Sequence, residues 1–288
     1  MTAEIVPIFK KAAALNSTLG ALYAALKTRN LIEIHGPLMN LTKQASKDKN
    51  AHQPLTEALA FISSWGNPYT LMGFARDVSD RAGKDVETKQ IGINALIEAT
   101  QALTPKDNPL AAEMIAGALK KTVLGSAQET QLTDELKRIC NDAHMLDAVE
   151  LLAVVMHTNY MVRENRQWSM HETMQKLADI VKERKPLNAL EAYIDIVDDR
   201  EAEGIPLTEE MASTILELCR TIAPRDPDLA QEGLAVIGQS MLSPQSQVYK
   251  DADHFRSLLQ INDFPVDHQA PAAMSPSEFS TFLKPKPF

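Results

Sequence analysis

Apolar side chains recur every three or four residues along most of this chain, which is the spacing that places them on one face of an α-helix. Leu19, Leu22, Tyr23 and Leu26 form one such stripe, and Met211, Ile215, Leu218 and Ile222 another. Leu146, Val149, Leu152 and Met156 form a third, and Leu31, Ile34, Leu38 and Leu41 a fourth that Gly36-Pro37 should kink or interrupt. A strict two-residue alternation of β-branched residues is nowhere sustained, so the pattern predicts an all-α fold.

Several prolines mark where the helices begin. Asn67-Pro68, Asn108-Pro109 and Asp226-Pro227 each set a capping side chain directly before a proline. Proline at the first helical position loses no hydrogen bond, because that amide has no intrahelical acceptor. Pro54, Pro186 and Pro206 read as similar helix starts. Cutting at these marks gives helix pairs whose first members begin near residues 54, 88, 130, 171 and 209.

That spacing falls in the range of two-helix repeats such as HEAT or armadillo units. Residues 95–119 align with 214–238 without a gap at seven identities: Glu98/Glu217, Pro105/Pro224, Asp107/Asp226, Leu110/Leu229, Ala111/Ala230, Glu113/Glu232 and Ala116/Ala235. A weaker echo places Leu136, Ile139, Leu146, Ala148 and Glu150 on Leu177, Ile180, Leu187, Ala189 and Glu191. Any helical chain matches itself to a degree when its turns are brought into phase, so two architectures fit: a right-handed α-solenoid-like array of helical hairpins, or an irregular helical bundle. The organisation read from the chain is an N-terminal helical cap over 1–50, a repeat-like body over 51–264, and a proline-rich tail over 265–288. Ser46–Gln53 is the polar, lysine-bearing linker between the first two. The tail is expected to be mostly disordered, apart from the capping-box spacing of Ser275-Pro276-Ser277-Glu278 and the short stripe Phe279, Phe282, Leu283.

Composition agrees with helix: aromatics are 5% and glycines 11 of 288 residues. The net charge of −9 argues against binding nucleic acid by bulk electrostatics. Charge is unevenly spread, with seven Lys/Arg against three Asp/Glu in 1–50 and four against twelve in 185–241. Cys140 and Cys219 lie in apolar-periodic stretches without CxxC or Cys/His spacing, which predicts two buried reduced thiols. The longest fully apolar run is Leu151–Met156, far short of the roughly 20 residues of a bilayer span. With no signal-like start, a cytoplasmic protein is the expectation, and a secreted effector lacking a cleaved signal would read the same.

No strong catalytic or cofactor motif is present. Gly233 to Ser240 imitates a phosphate loop but has Gln239 in place of the lysine and sits in a helical pattern. His171-Glu172 lacks the second histidine of a zinc helix, since residue 175 is Gln. His144, Asp147 and Glu150 stand three apart and are the best metal candidates, weighed against ordinary solvated polarity. The stretch from His157 to His171 is the least ordinary, holding Tyr160, Arg163, Arg166 and Trp168, residue types that concentrate binding energy at interfaces. Trp65-Gly66-Asn67-Pro68-Tyr69 resembles it in miniature as a helix–turn–helix corner.

Together these features predict a non-enzymatic helical-repeat scaffold that binds segments of protein partners, without cofactor or membrane. Its expected contact residues are Tyr160, Arg163, Arg166, Trp168, Phe279, Phe282 and Leu283. The competing reading is an enzyme or small-ligand binder using His144, Asp147, His157, Arg163 and His171.

Overall fold

The computed structural model describes residues 17–123, 125–163, 170–240 and 244–260. The proline-rich tail and the N-terminal lysines at 10 and 11 lie outside them. Among the described residues the fold is all-α, with no strand and thirteen α-helices joined mostly by short turns. Contacts divide the chain after Val181 into two units.

The first unit contains α1 (Ser17–Thr28), α2 (Leu31–Ala45), α3 (His52–Ser63), α4 (Pro68–Arg81), α5 (Val86–Gln101), α6 (Asn108–Leu119), α7 (Ala127–Asn141), α8 (Met145–Arg163) and α9 (His171–Val181). Among the described residues each helix of this unit packs on its immediate neighbours or on the next but one, and no substantial packing within the unit reaches further. Leu22, Ile34, Leu38, Leu55, Ile62, Ile93, Leu96, Ile115 and Leu132 are completely buried along this series. The second unit contains α10 (Pro186–Ala202), α11 (Glu209–Ile222), α12 (Pro227–Gln239) and α13 (Gln247–Gln260), with the same order of packing. Leu190, Ile196, Ile215 and Ile237 are buried within it.

The helix starts follow local chemistry. The first members of the pairs begin at residues 52, 86, 127, 171 and 209, at or within three residues of the expected positions. Asp85, Ser126 and Thr208 cap α5, α7 and α11 by accepting from the backbone N–H of Thr88, Glu129 and Met211. Satisfying an orphan donor in this way is worth roughly 1 kcal/mol per cap. Proline opens four of the five second members, α8 being the exception: Pro68 and Pro109 are 41 residues apart, as are Pro186 and Pro227.

Four details differ from expectation. Helix α2 is not interrupted at Gly36-Pro37: both lie in its middle, and Ile34, Leu38 and Leu41 remain buried on one side. Leu31, expected to join that stripe, is 46% exposed at the helix start. Asn108 does not cap α6; its side chain is buried and its amide Nδ2 donates to the Ile139 carbonyl of α7 at 3.5 Å, leaving Asp107 at the cap. The buried face of α8 is Ala148, Leu151, Leu152 and Val155, whereas Val149 and Met156 are only half-buried. The run from Leu151 to Met156 is apolar all round, so periodicity alone could not choose its inner face.

Two tight approaches hold neighbouring helices together. A Cβ on Gly92 of α5 would stand 2.7 Å from the Ser79 backbone nitrogen and 2.9 Å from the Ala75 carbonyl of α4, so only glycine fits that crossing. Gly233 of α12 meets the Cys219 Sγ of α11 in the same way. The 233–239 stretch is helical throughout, which removes the phosphate-loop resemblance.

Candidate functional site

Helix α8 carries more of the candidate residues than any other described helix and is the longest of them, at nineteen residues. The His144 carbonyl accepts from the amides of Asp147 and Ala148, fixing the helix start. The His144 and Glu150 side chains are exposed and Asp147 is half-buried. Among the described residues no group of three His, Cys, Asp or Glu side chains is placed to hold a metal ion. The i, i+3, i+6 spacing of His144, Asp147 and Glu150 winds them round the helix, and among the described residues no ligand from another helix completes a set.

One turn from the end of α8, Thr158 and Asn159 face inward while His157 and Tyr160 face out. The Thr158 hydroxyl donates back to the Val154 carbonyl at 2.7 Å, a local bond that lets a polar residue be buried in the helix. Tyr160 is 70% exposed, a large aromatic surface left in water. Partial burial holds the His157 imidazole below the usual histidine range, and the nearby Lys120 ammonium lowers it further. Burial likewise lowers the Lys120 ammonium, while the Glu113 carboxylate opposes that shift. The Arg163 side chain, and all of Arg166, Trp168, Phe279, Phe282 and Leu283, lie outside the described residues.

His171 is buried at the start of α9, whereas His144 and His157 are exposed on and beside α8. His171 therefore occupies a different environment from the other two histidines.

Helix α6 beside α8 was not legible as part of a site. Asn108–Leu119 has one charged residue, Glu113, in twelve. Its Leu110, Glu113, Met114 and Gly117 recur at helical spacing along the side that is not fully buried. Leu110 is 40% exposed, and nothing lies within 4 Å of a Cβ built on Gly117. On α8 the stripe Ala153, Met156, His157, Tyr160 is likewise half-buried to exposed. The two helices pack together, with Lys120 and His157 near one another at one end. The signal available in sequence was the near absence of charge across α6.

Three other features bear on chemistry. The Trp65 corner forms as expected, with Gly66 at φ +71°, Asn67 capping α4, and the Trp65 ring edge-on to Phe61 at 5.9 Å. The Arg29 guanidinium lies 5.8 Å from the centre of the Trp65 ring. In the second unit the Glu191 carboxyl is pushed up by burial and by the carboxylates of Asp195, Asp226 and Glu232. Both cysteines are free and buried, and burial pushes each thiol up to about 12, so neither is a thiolate nucleophile at neutral pH.

No helix of the described residues is long and apolar enough to cross a membrane. No protein-family model matches the chain, and neither a curated protein nor a solved structure is significantly similar to it.

Proposed function

We propose that this chain is a non-enzymatic scaffold, a right-handed α-solenoid-like array of helical hairpins that binds segments of partner proteins. The observation that carries the reading is packing restricted to the next helix and the next but one, with helix starts recurring at about forty residues. An array of this kind presents side chains from successive helices as a continuous surface, and it needs no cofactor to bind an extended segment. The matched segments 95–119 and 214–238 add support, because they lay α5–α6 on α11–α12 with each helix in its own place in the pair. The cytoplasm is the compartment that fits, given two free buried thiols.

The test is capture of the full-length chain from its native cells after cross-linking. A stoichiometric protein whose cross-links fall repeatedly on residues 17–260 is the expected result. If no protein is captured and a metal or small metabolite raises the melting temperature of the purified chain, the scaffold reading fails in favour of a ligand binder.

A further inference from the structure

Three turns of the first unit, those joining α2 to α3, α4 to α5 and α6 to α7, lie side by side. Lys49 after the first donates to Glu87 after the second at 2.6 Å. Lys121 in the third pairs with Asp80 at 2.7 Å, and Gln128 donates to the Val86 carbonyl at 2.8 Å. Residues 43–51, 80–89 and 120–129 carry eight Lys/Arg against five Asp/Glu. All five carboxylates already have partners within this edge. Asp80 and Glu87 hold the lysines just named, Asp48 and Asp85 accept from the amides of Asn50 and Thr88, and Glu129 accepts from the Gly125 amide. Lys43, Lys47, Arg81 and Lys84 are exposed and make no hydrogen bond or ion pair among the described residues. Val86 and Val123 stand among them, 60% and 69% exposed.

The second unit carries the opposite charge. Residues 185–241 hold four Lys/Arg against twelve Asp/Glu. A Cβ on Gly233 of α12 would stand 3.0 Å from Cδ1 of Leu190 on α10, which sets Glu232 and Glu191 beside one another. Asp195 follows Glu191 by one turn, and Asp226 stands at the head of α12. Burial and these three carboxylates all push the Glu191 carboxyl up, and no cation is among the groups acting on it. Leu229, half-buried, lies on the same side of α12 as Asp226 and Glu232. Repulsion within such a face costs stability until an opposite charge is supplied.

We propose that the lysine-rich edge of the first unit docks on the carboxylate face of the second unit in another copy of this chain. Charge complementarity names the occupant: four free cations on one surface answer a group of carboxylates on the other. The two surfaces are also made together, always in equal amounts. Val86 and Val123 add apolar area within the ring of charge, as the centre of a protein interface requires. A nucleic acid fits less well, because the chain's charge of −9 opposes its approach. The contact is separate from whatever segment the scaffold binds.

The experiment is sedimentation of the purified full-length chain over a range of concentrations. At about 0.01 M salt, where charges act over about 30 Å, the mean mass should climb from one chain towards two or more. At about 1 M salt, where that reach falls to about 3 Å, it should return to one. Two variants are then compared, Lys47→Glu with Lys84→Glu on the edge, and Glu191→Gln with Glu232→Lys on the face. Each alone should stay at the mass of one chain at low salt. Mixed in equal amounts they should associate again, because the reversed edge now meets the reversed face, and that recovery also shows both variants to be folded. A natural chain that stays single at every concentration would overturn the proposal. So would association that survives either pair of substitutions, or variants that stay single when mixed. A single natural chain that binds single-stranded RNA, with binding lost in the edge variant, would give the edge to nucleic acid instead.

Discussion

Two glycines in neighbouring helices sit in opposite surroundings, and their substitution should have opposite signs. At Gly92 a methyl group collides with the backbone of Ala75 and Ser79, atoms that move only if the whole helix moves. Gly92→Ala is expected to destabilise the protein by about 1–3 kcal/mol, the usual penalty of overpacking, measured by chemical denaturation. At Gly117 nothing opposes the methyl group, so Gly117→Ala should stabilise by roughly 0.5–1 kcal/mol by removing the entropic cost of glycine within a helix. His157 offers a second residue-scale check. Its NMR titration midpoint should lie below that of an ordinary histidine, and should rise when Lys120→Gln removes the neighbouring charge. The thiols give a third. Cys140 and Cys219 stay protonated up to about 12 in the folded chain, whereas unfolded thiols ionise near 9. The unfolded state therefore loses protons first, and the stability these groups contribute below pH 9 declines as pH rises towards 12. Both thiols should resist Ellman's reagent at pH 8 until denaturant is added.

At the scale of elements, helix pairs are joined by polar contacts as well as by apolar stripes. The buried Glu135 of α7 accepts from the Thr100 hydroxyl of α5 at 2.8 Å, from Gln101 at 3.3 Å, and from both the Nε and an Nη of Arg138. Glu135→Ala deletes the acceptor for a hydroxyl held between two helices. A loss of about 1–3 kcal/mol is expected in denaturant titrations, with Arg138→Ala costing less because its guanidinium is partly solvated. Helix starts were the most legible elements. A cap such as Asp226 before Pro227, or Thr208 before the Met211 stripe, encodes its own local geometry in consecutive residues. What failed was information carried by neighbours. Asn108 looks like a cap in isolation, but α7 places the Ile139 carbonyl where its amide can donate instead. The candidate face was obscure for the same reason: Tyr160 stood out in sequence, while Lys120 and Gly117 acquire meaning only once α6 lies against α8. The triplet His144, Asp147, Glu150 shows the converse: regular spacing is legible in one segment of sequence, and among the described residues no second helix adds a third ligand group to it.

On the scale of the molecule, packing limited to the next two helices makes damage local. Leu55 on α3 and Leu177 on α9 are both completely buried and belong to opposite ends of the first unit's packing order. Leu177→Ala should lower hydrogen-exchange protection in α7–α9 and leave α1–α3 unchanged, and Leu55→Ala should do the reverse. A uniform fall in protection throughout α1–α9 from either substitution would show a single cooperative core instead. Each substitution is expected to cost about 2–5 kcal/mol locally.

That order of contacts also bears on how the protein is made. A ribosome releases residues in sequence, and a helix whose partners lie far downstream must wait with its apolar face uncovered. In the first unit each helix meets its forward partners within the next two elements, so its oily stripe can be covered while later helices are still being translated. The growing chain thus exposes only its newest helices to chaperones or to neighbouring polysomes, at every length through which it passes.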